Sequence, residues 1–196
     1  GQPHDIGVLR LAGTEVGVRK VAKGQGEIVW HTVEAKVPLP ELGAPVRGVL
    51  EWDRRYLLMR THTALHLLNG VIWVDYGAKV TGANMSPGEG RLDFELPAMS
   101  QEFAAAVQAR VNEEVERDLP IRVRFMPRAE ADRDPSLQRL KADLIPRSVD
   151  PLRVIDIVGL DRQADGGTFV SSTREVGTVR VVGLLSNEAW RGGLDD

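Results

Sequence analysis

The stretch Trp52-Asp-Arg-Arg-Tyr-Leu-Leu-Met-Arg-Thr-His-Thr-Ala-Leu-His-Leu-Leu68 decides how this chain is read. From Arg54 to about Trp73 the apolar residues Leu57, Leu58, Leu65, Leu68 and Ile72 recur at helical spacing. Upstream the pattern is different. Residues 5 to 52 run in short alternating stretches such as VGVRKVAKGQGEIVWHTVEAKV, with Lys23-Gly-Gln-Gly26 as a hairpin turn. The Pro/Gly-punctuated PLPELGAPVRG then leads into the strand VRGVLEWD. The sequence thus predicts a small N-terminal β-barrel module over residues 1–52 and a second, α+β module over 53–196.

The second module continues with AKVTGANM and EGRLDFEL, which bracket the turn Ser86-Pro-Gly-Glu-Gly90 and read as a hairpin. Ser100 is placed to cap a second helix with Phe103, Val107, Val111 and Val115 on one face, stopped by Pro120. IRVRFMP reads as a strand, and RAEADRDPSLQRLK as an irregular helical stretch broken by Pro135. LRVIDIVGL and GTVRVVGLL read as strands flanking the loop DRQADGGTFV. The expectation is an α+β fold with helices packed on an antiparallel sheet.

Composition bounds the function classes. The chain has 196 residues, an apolar fraction of 42% and a charged fraction of 27%, ordinary values for a globular protein with a real core. No apolar run approaches the roughly 18 residues that span a bilayer, and nothing resembles a signal peptide, so the expected location is the cytoplasm and no membrane partner is expected. Cysteine is absent, which excludes disulfides and thiolate metal sites. The net charge of −3 argues against a DNA-coating protein. Arginine outnumbers lysine 20 to 5, with clusters at Arg54-Arg55, Arg122-x-Arg124-x-x-x-Arg128 and Arg139-x-Lys141. A solvated surface and a phosphate-facing strip both remain open for them. The sequence begins on Gly1 rather than methionine, which reads as a fragment or a trimmed chain.

His62 and His66 stand at i and i+4, so both imidazoles leave one face of the helix, as two ligands of a single zinc ion would. Alone the pair is a weak signal and reads more readily as one packed and one exposed histidine. Thr61, Thr63 and Asn69 add polar groups to an otherwise apolar helix, and a buried polar face needs partners. A hundred residues on, Gly166-Gly167 permits close backbone approach. Asp165 beside it either caps a turn or is a ligand or base held near the histidines. His4 and His31 have no neighbour at ligand spacing and read as surface or strand residues.

WDRRYLLMRTHTALHLL, GRLDFEL and DGGTFVSSTREVG occur in the order found in the alanyl-tRNA editing proteins, and GQPHDIGVL resembles the tail of that family's N-terminal glycine motif. Over nearly its whole length the chain resembles these freestanding (AlaX-type) relatives of the alanyl-tRNA synthetase editing domain. Its length matches the medium form, with the N-terminal barrel and without a long C-terminal extension. The resemblance implies a trans-editing hydrolase that deacylates mischarged tRNA(Ala), chiefly Ser-tRNA(Ala) and secondarily Gly-tRNA(Ala), with the acceptor end of the tRNA as partner.

The family's metal pattern is His-x3-His on the helix and Cys-x3-His in the later loop. The first pair maps onto His62 and His66, the second onto Asp165 and Phe169. Aspartate binds zinc through oxygen, whereas a phenyl ring donates nothing, so three protein ligands and one open position remain, a common count for catalytic Zn2+. The opposing expectation is that Phe169 fills the lost fourth position and leaves a non-catalytic tRNA-binding relative. A changed loop could also serve an editing enzyme for another aminoacyl-tRNA. Without metal, His62 or His66 could still act as a general base. Selectivity for serine over alanine needs a partner for one hydroxyl, and the candidates are Thr63, Thr81 and Asn84. By resemblance the VTGANM hairpin borders the amino-acid pocket. Gln2, Pro3, Asp5 and Gly7 match the glycine motif near the tRNA end, whose upstream glycines this chain lacks. Arg91 and Asp93 of GRLDFEL read as support for the fold.

Overall fold

The computed structural model describes residues 2–11, 13–26, 28–34, 40–137 and 145–184. Its N-terminal part is a four-stranded antiparallel sheet formed by β1 (Gly7–Leu11), β2 (Thr14–Lys23), β3 (Val29–Val33) and β4 (Arg47–Leu50), in the order β3-β2-β1-β4. Gly7 is required at the start of β1, because a Cβ there would lie 2.1 Å from the Val49 carbonyl oxygen. The closed barrel expected from the alternation is not formed among the described residues. β3 and β4 stand at opposite edges of an open sheet, and four short strands are too few to curl until their edges meet.

The long helix α1 (Trp52–Tyr76) extends the predicted span at both ends and finishes on Gly77, whose left-handed backbone (φ 66°) lets its N–H reach the Trp73 carbonyl. On one side of α1 lies the hairpin β5 (Val80–Ser86) and β6 (Glu89–Phe94), joined at Pro87-Gly88 within the predicted turn. Close packing brings Gly90 against Leu65, and the Gly88 N–H donates to Thr61 Oγ1 at 2.9 Å. On another side lies a three-stranded antiparallel sheet, β7 (Ile121–Met126), β8 (Leu152–Ile157) and β9 (Asp161–Ala164), with β8 central. Helix α2 (Gln101–Glu116) is capped as predicted, the Ser100 hydroxyl accepting from the Phe103 N–H at 3.1 Å. It ends at Glu116, before Pro120, and Asp118 adopts a left-handed backbone (φ 53°).

Leu67, Val71 and Ile72 of α1 meet Val107, Val111 and Val115 of α2 over Ile157 and Leu160 to form the core. Each such fully buried aliphatic side chain contributes about 1.5–3 kcal/mol by leaving water. This core fixes α1 relative to β8 and β9, and so fixes the two histidines relative to the loop that leaves β9. The stretch GTVRVVGLL, expected as a strand, is not one up to Leu184. Side chains of α2 satisfy its backbone instead: Asn112 bonds both the N–H and the carbonyl of Val179, and Gln108 accepts from the Val181 N–H. Conversely DRQA, expected within a loop, is strand β9.

Candidate functional site

Helix α1 supplies His62 and His66, one turn apart and both buried, with ring centroids 4.9 Å apart. β9 runs out at Ala164 and delivers Asp165 to the same place. Asp165 Oδ2 lies 3.7 Å from His62 Nε2 and 3.7 Å from His66 Nε2. One ligand atom from each of the three residues falls within 4.8 Å of the others, a donor set that could hold a metal ion. Behind them Asp161 is buried with Oδ2 4.0 Å from His66 Nδ1, and it accepts from Gln163 Nε2 at 2.6 Å. Phe169 completes the wall, its ring centroid 4.5 Å from that of His62 and 4.8 Å from that of His66.

The loop after Asp165 is held in place from several sides. The Gly167 N–H donates to Asp165 Oδ1 at 2.5 Å, and Arg153 Nη1 donates to the carbonyls of Asp165 and Gly167, each at 2.8 Å. His62 Nδ1 lies 3.1 Å from the Thr168 carbonyl. A carbonyl only accepts, so Nδ1 carries the hydrogen and Nε2 keeps its lone pair toward Asp165. Gln2 grips the same residue: its amide oxygen accepts from the Thr168 N–H at 2.8 Å while its amide nitrogen donates to Thr168 Oγ1 at 2.7 Å. The Val170 N–H donates to Thr63 Oγ1 at 3.3 Å, and the Thr63 hydroxyl donates to the Met59 carbonyl at 2.8 Å.

The electrostatics suit a Lewis-basic cluster. Burial lowers the His62 pKa from the usual histidine range, the neighbouring His66 lowers it further, and the Asp165 carboxylate only partly opposes them. His62 is neutral at pH 7. For Asp165, burial acts to raise the pKa, but the imidazoles of His66 and His62 beside it and the Gly167 N–H outweigh it and bring the value to about 2. Neutral imidazole and ionised carboxylate are the protonation states a metal ion requires of its ligands.

No family model matches the chain. The alanyl-tRNA editing protein AlaX-M of Saccharolobus solfataricus is 31% identical over 180 residues, covering 91% of this chain and 75% of that protein. The AlaX-M protein of Methanosarcina barkeri is 31% identical over 188 residues, 94% of this chain and 77% of its own length. The chain belongs to the alanyl-tRNA editing protein family. The alanine–tRNA ligase of Thermofilum pendens is 36% identical over 187 residues, which are 94% of this editing protein but 20% of the ligase.

The structure of this editing protein brings His62, His66, Asp165 and Phe169 together and sorts the other expected residues. Thr63 is fully buried, and its hydroxyl both donates to Met59 and accepts from Val170. Thr81 and Asn84 are exposed on β5, and Asn84 Oδ1 accepts from the Met85 N–H at 2.8 Å. Asp5 pairs with Arg55, and Arg54 Nη1 donates to the His4 carbonyl at 2.7 Å, so that arginine pair fastens the N-terminal segment to α1. Arg128 is likewise buried, bonded to Asp132 and the Pro146 carbonyl. Of the expected strip, Arg122 and Arg124 stay exposed, while Arg139 and Lys141 lie outside the described residues. Arg91 bridges to Asp93 at 3.1 Å, both on β6. His4, ahead of β1, contacts the Arg19 carbonyl through Nε2 at 3.3 Å, and His31 Nδ1 on β3 contacts the Val29 carbonyl at 3.2 Å.

Sequence reasoning missed the anchor of the closing motif. The Glu175 carboxylate accepts from the Ser171 N–H, the Ser171 hydroxyl and the Tyr56 hydroxyl, and Arg60 donates to the Val176 carbonyl. The Ser172-x-x-Glu175 spacing is a capping-box signature and marked this turn in the sequence.

Proposed function

We propose that this chain hydrolyses the aminoacyl ester of mischarged tRNA(Ala), chiefly Ser-tRNA(Ala) and secondarily Gly-tRNA(Ala), at the His62–His66–Asp165 cluster. The observation that carries the reading is the convergence of two imidazoles and one carboxylate on one point beside a loop built for close approach. The family membership and the names of its relatives support the substrate class. His62, His66 and Asp165 would hold a zinc ion, their ligand atoms 3.7 Å apart about Asp165 and all within 4.8 Å of one another. When bound, such an ion polarises the ester carbonyl and leaves one position open.

The chain's own residues do the rest. The ester is already activated, so orienting it against a water supplies much of the acceleration. Without a metal, His62 Nε2, neutral at pH 7, is instead positioned to take the proton of an attacking water, and the Asp165 carboxylate steadies the imidazolium that results. The acyl C–O bond to the ribose breaks as the ribose oxygen takes the proton removed from the water, and the free amino acid and uncharged tRNA leave. Thr81 and Asn84 are the proposed partners of the amino-acid side chain, on a hairpin docked to α1 one residue before His62. Thr63 and Gln2 act through position instead, holding Val170 and Thr168 so that the loop faces the histidines. In this reading residues 1–52 form a unit that presents Gln2 and the tRNA acceptor end to the editing unit 53–196, and the protein works in the cytoplasm.

A second reading, a metal-free binding protein, has one observation in its favour: the Phe169 ring packs against both histidines, its centroid 4.5 Å from that of His62 and 4.8 Å from that of His66. Incubation with labelled Ser-, Gly- and Ala-tRNA(Ala) separates the two. Loss of the Ser ester with the Ala ester spared is expected; survival of all three at micromolar protein would leave only binding. The metal question has its own test. Phe169→His adds an imidazole beside His62 and His66 and should tighten zinc binding by at least about ten-fold, the scale on which metal-site changes act. Titration against a competing chelator reads this directly, and an unchanged affinity would remove zinc from the proposal.

A further inference from the structure

The sheet face that carries Asp165 continues past the site, and its outermost residue is an exposed aromatic ring. In the β7–β8 ladder Phe125 stands directly opposite Arg153. In the β8–β9 ladder Val154 stands opposite Ala164, so the next pair outward is Arg153 with Asp165, and the Asp165 N–H donates to the Arg153 carbonyl at 3.1 Å. Directly opposed residues project to the same face of a sheet. Phe125, Arg153 and Asp165 therefore form one cross-strand row, with Asp165 facing the histidines. Arg153 clamps the Asp165–Gly167 backbone and lies 6.0 Å from the Phe169 ring centroid. On the same face the inner residues Ile155, Ile157, Asp161 and Gln163 are buried, whereas Phe125 is 67% exposed and Val123 is 49% exposed.

We infer that Phe125, flanked by Val123, is the stacking seat for the terminal nucleobase of the substrate; this rests on the proposed hydrolysis of an aminoacylated tRNA. In such a substrate one ribose separates the scissile ester from its own base. Neighbouring strands lie about 4.8 Å apart, so Phe125 is about 10 Å from Asp165 across the row. With the ester at Asp165 and the histidines, the ribose falls over Arg153 and the base reaches Phe125. Base stacking on an aromatic side chain is tolerant of sequence and strong enough to anchor a single-stranded end. The surroundings favour this occupant over a second copy of the chain. Among the described residues β7 is an edge strand, and its other face presents the exposed Arg122 and Arg124, the latter 3.7 Å from Asp156, which oppose strand-to-strand pairing and attract a phosphate backbone.

The test is a double-mutant cycle on an acceptor-stem minihelix of tRNA(Ala), made with its terminal nucleobase or with an abasic terminal ribose, binding being read by fluorescence anisotropy. Phe125→Leu should weaken binding of the intact minihelix by roughly 5- to 100-fold and leave the abasic one unchanged, and Phe125→Trp should restore the intact value. With Ser-tRNA(Ala) the same loss should appear in KM with kcat nearly retained. Equal losses on both minihelices, or a wild-type protein indifferent to the missing base, would overturn the inference. So would a Phe125→Leu protein whose only change is a lower mass in light scattering, which would assign the ring to self-association. Coupling in the cycle without hydrolysis of Ser-tRNA(Ala) by the wild type would keep the nucleobase seat and discard the hydrolase reading.

Discussion

The His66→Ala protein should deacylate Ser-tRNA(Ala) about 10²- to 10⁴-fold more slowly than the wild type, the range a positioned acid–base group commands. Three effects act together. The change removes one of three convergent donors, it deprives Asp165 of a neighbouring imidazole that helps keep it ionised, and it opens a void beside Phe169. Single-turnover deacylation together with zinc content checks this, and a loss below about ten-fold would take His66 out of the chemistry. A pH profile gives an independent readout. Burial and His66 both lower the His62 pKa, so the neutral base persists to more acidic pH than an ordinary histidine would allow. Wild-type activity should therefore fall only below the usual histidine range as pH drops. In His66→Ala one of the lowering influences is gone, and the acid limb of the residual activity should move to higher pH. A purely structural role for His66 would reduce the rate without moving that limb.

What could be read from the sequence was local. The change of period at Trp52, the i,i+4 spacing of His62 and His66, the turn at Pro87-Gly88 and the cap at Ser100 each depend on neighbours within a few residues, and each reappears in the structure. What could not be read depends on partners far along the chain. Arg54 and Arg55 look like phosphate ligands until Asp5 and the His4 carbonyl are placed against them. GTVRVVGLL has a strand's composition, but Asn112 and Gln108 reach its backbone before any strand does. Thr63 carries the polarity expected of a pocket residue and uses it to hold Val170. At the candidate site itself, the family pattern located Asp165 and Phe169, yet the hand-off from Gln2 through Thr168 to His62 joins residues 166 and 106 positions apart. No periodicity carries that information, because the order of contacts across α1 is set by the packing of β9 against it.

That hand-off makes Gly167 the most sensitive backbone position at the site. A Cβ added there would lie 2.4 Å from His62 Cε1, 2.7 Å from His62 Nδ1 and 2.9 Å from Asp165 Oδ1. None of these neighbours is free to move away. His62 is fixed by the Thr168 carbonyl, and Asp165 Oδ1 by the Gly167 N–H itself, while Arg153 pins the backbone on both sides. Gly167→Ala must therefore rotate His62 off its hydrogen bond or push the loop away from α1, and either motion spreads the three donors. Misplacement of about 1 Å in a catalytic constellation costs on the order of 100-fold in rate, so deacylation should fall by about that factor and zinc affinity with it. The core of Leu67, Val71, Val107 and Val111 lies elsewhere, so thermal stability should change little. Gly166 provides the control, since a Cβ there meets nothing within 4 Å. Gly166→Ala should keep nearly full activity and metal affinity. If the two alanine variants behave alike, the close approach of this loop to His62 is not what organises the site.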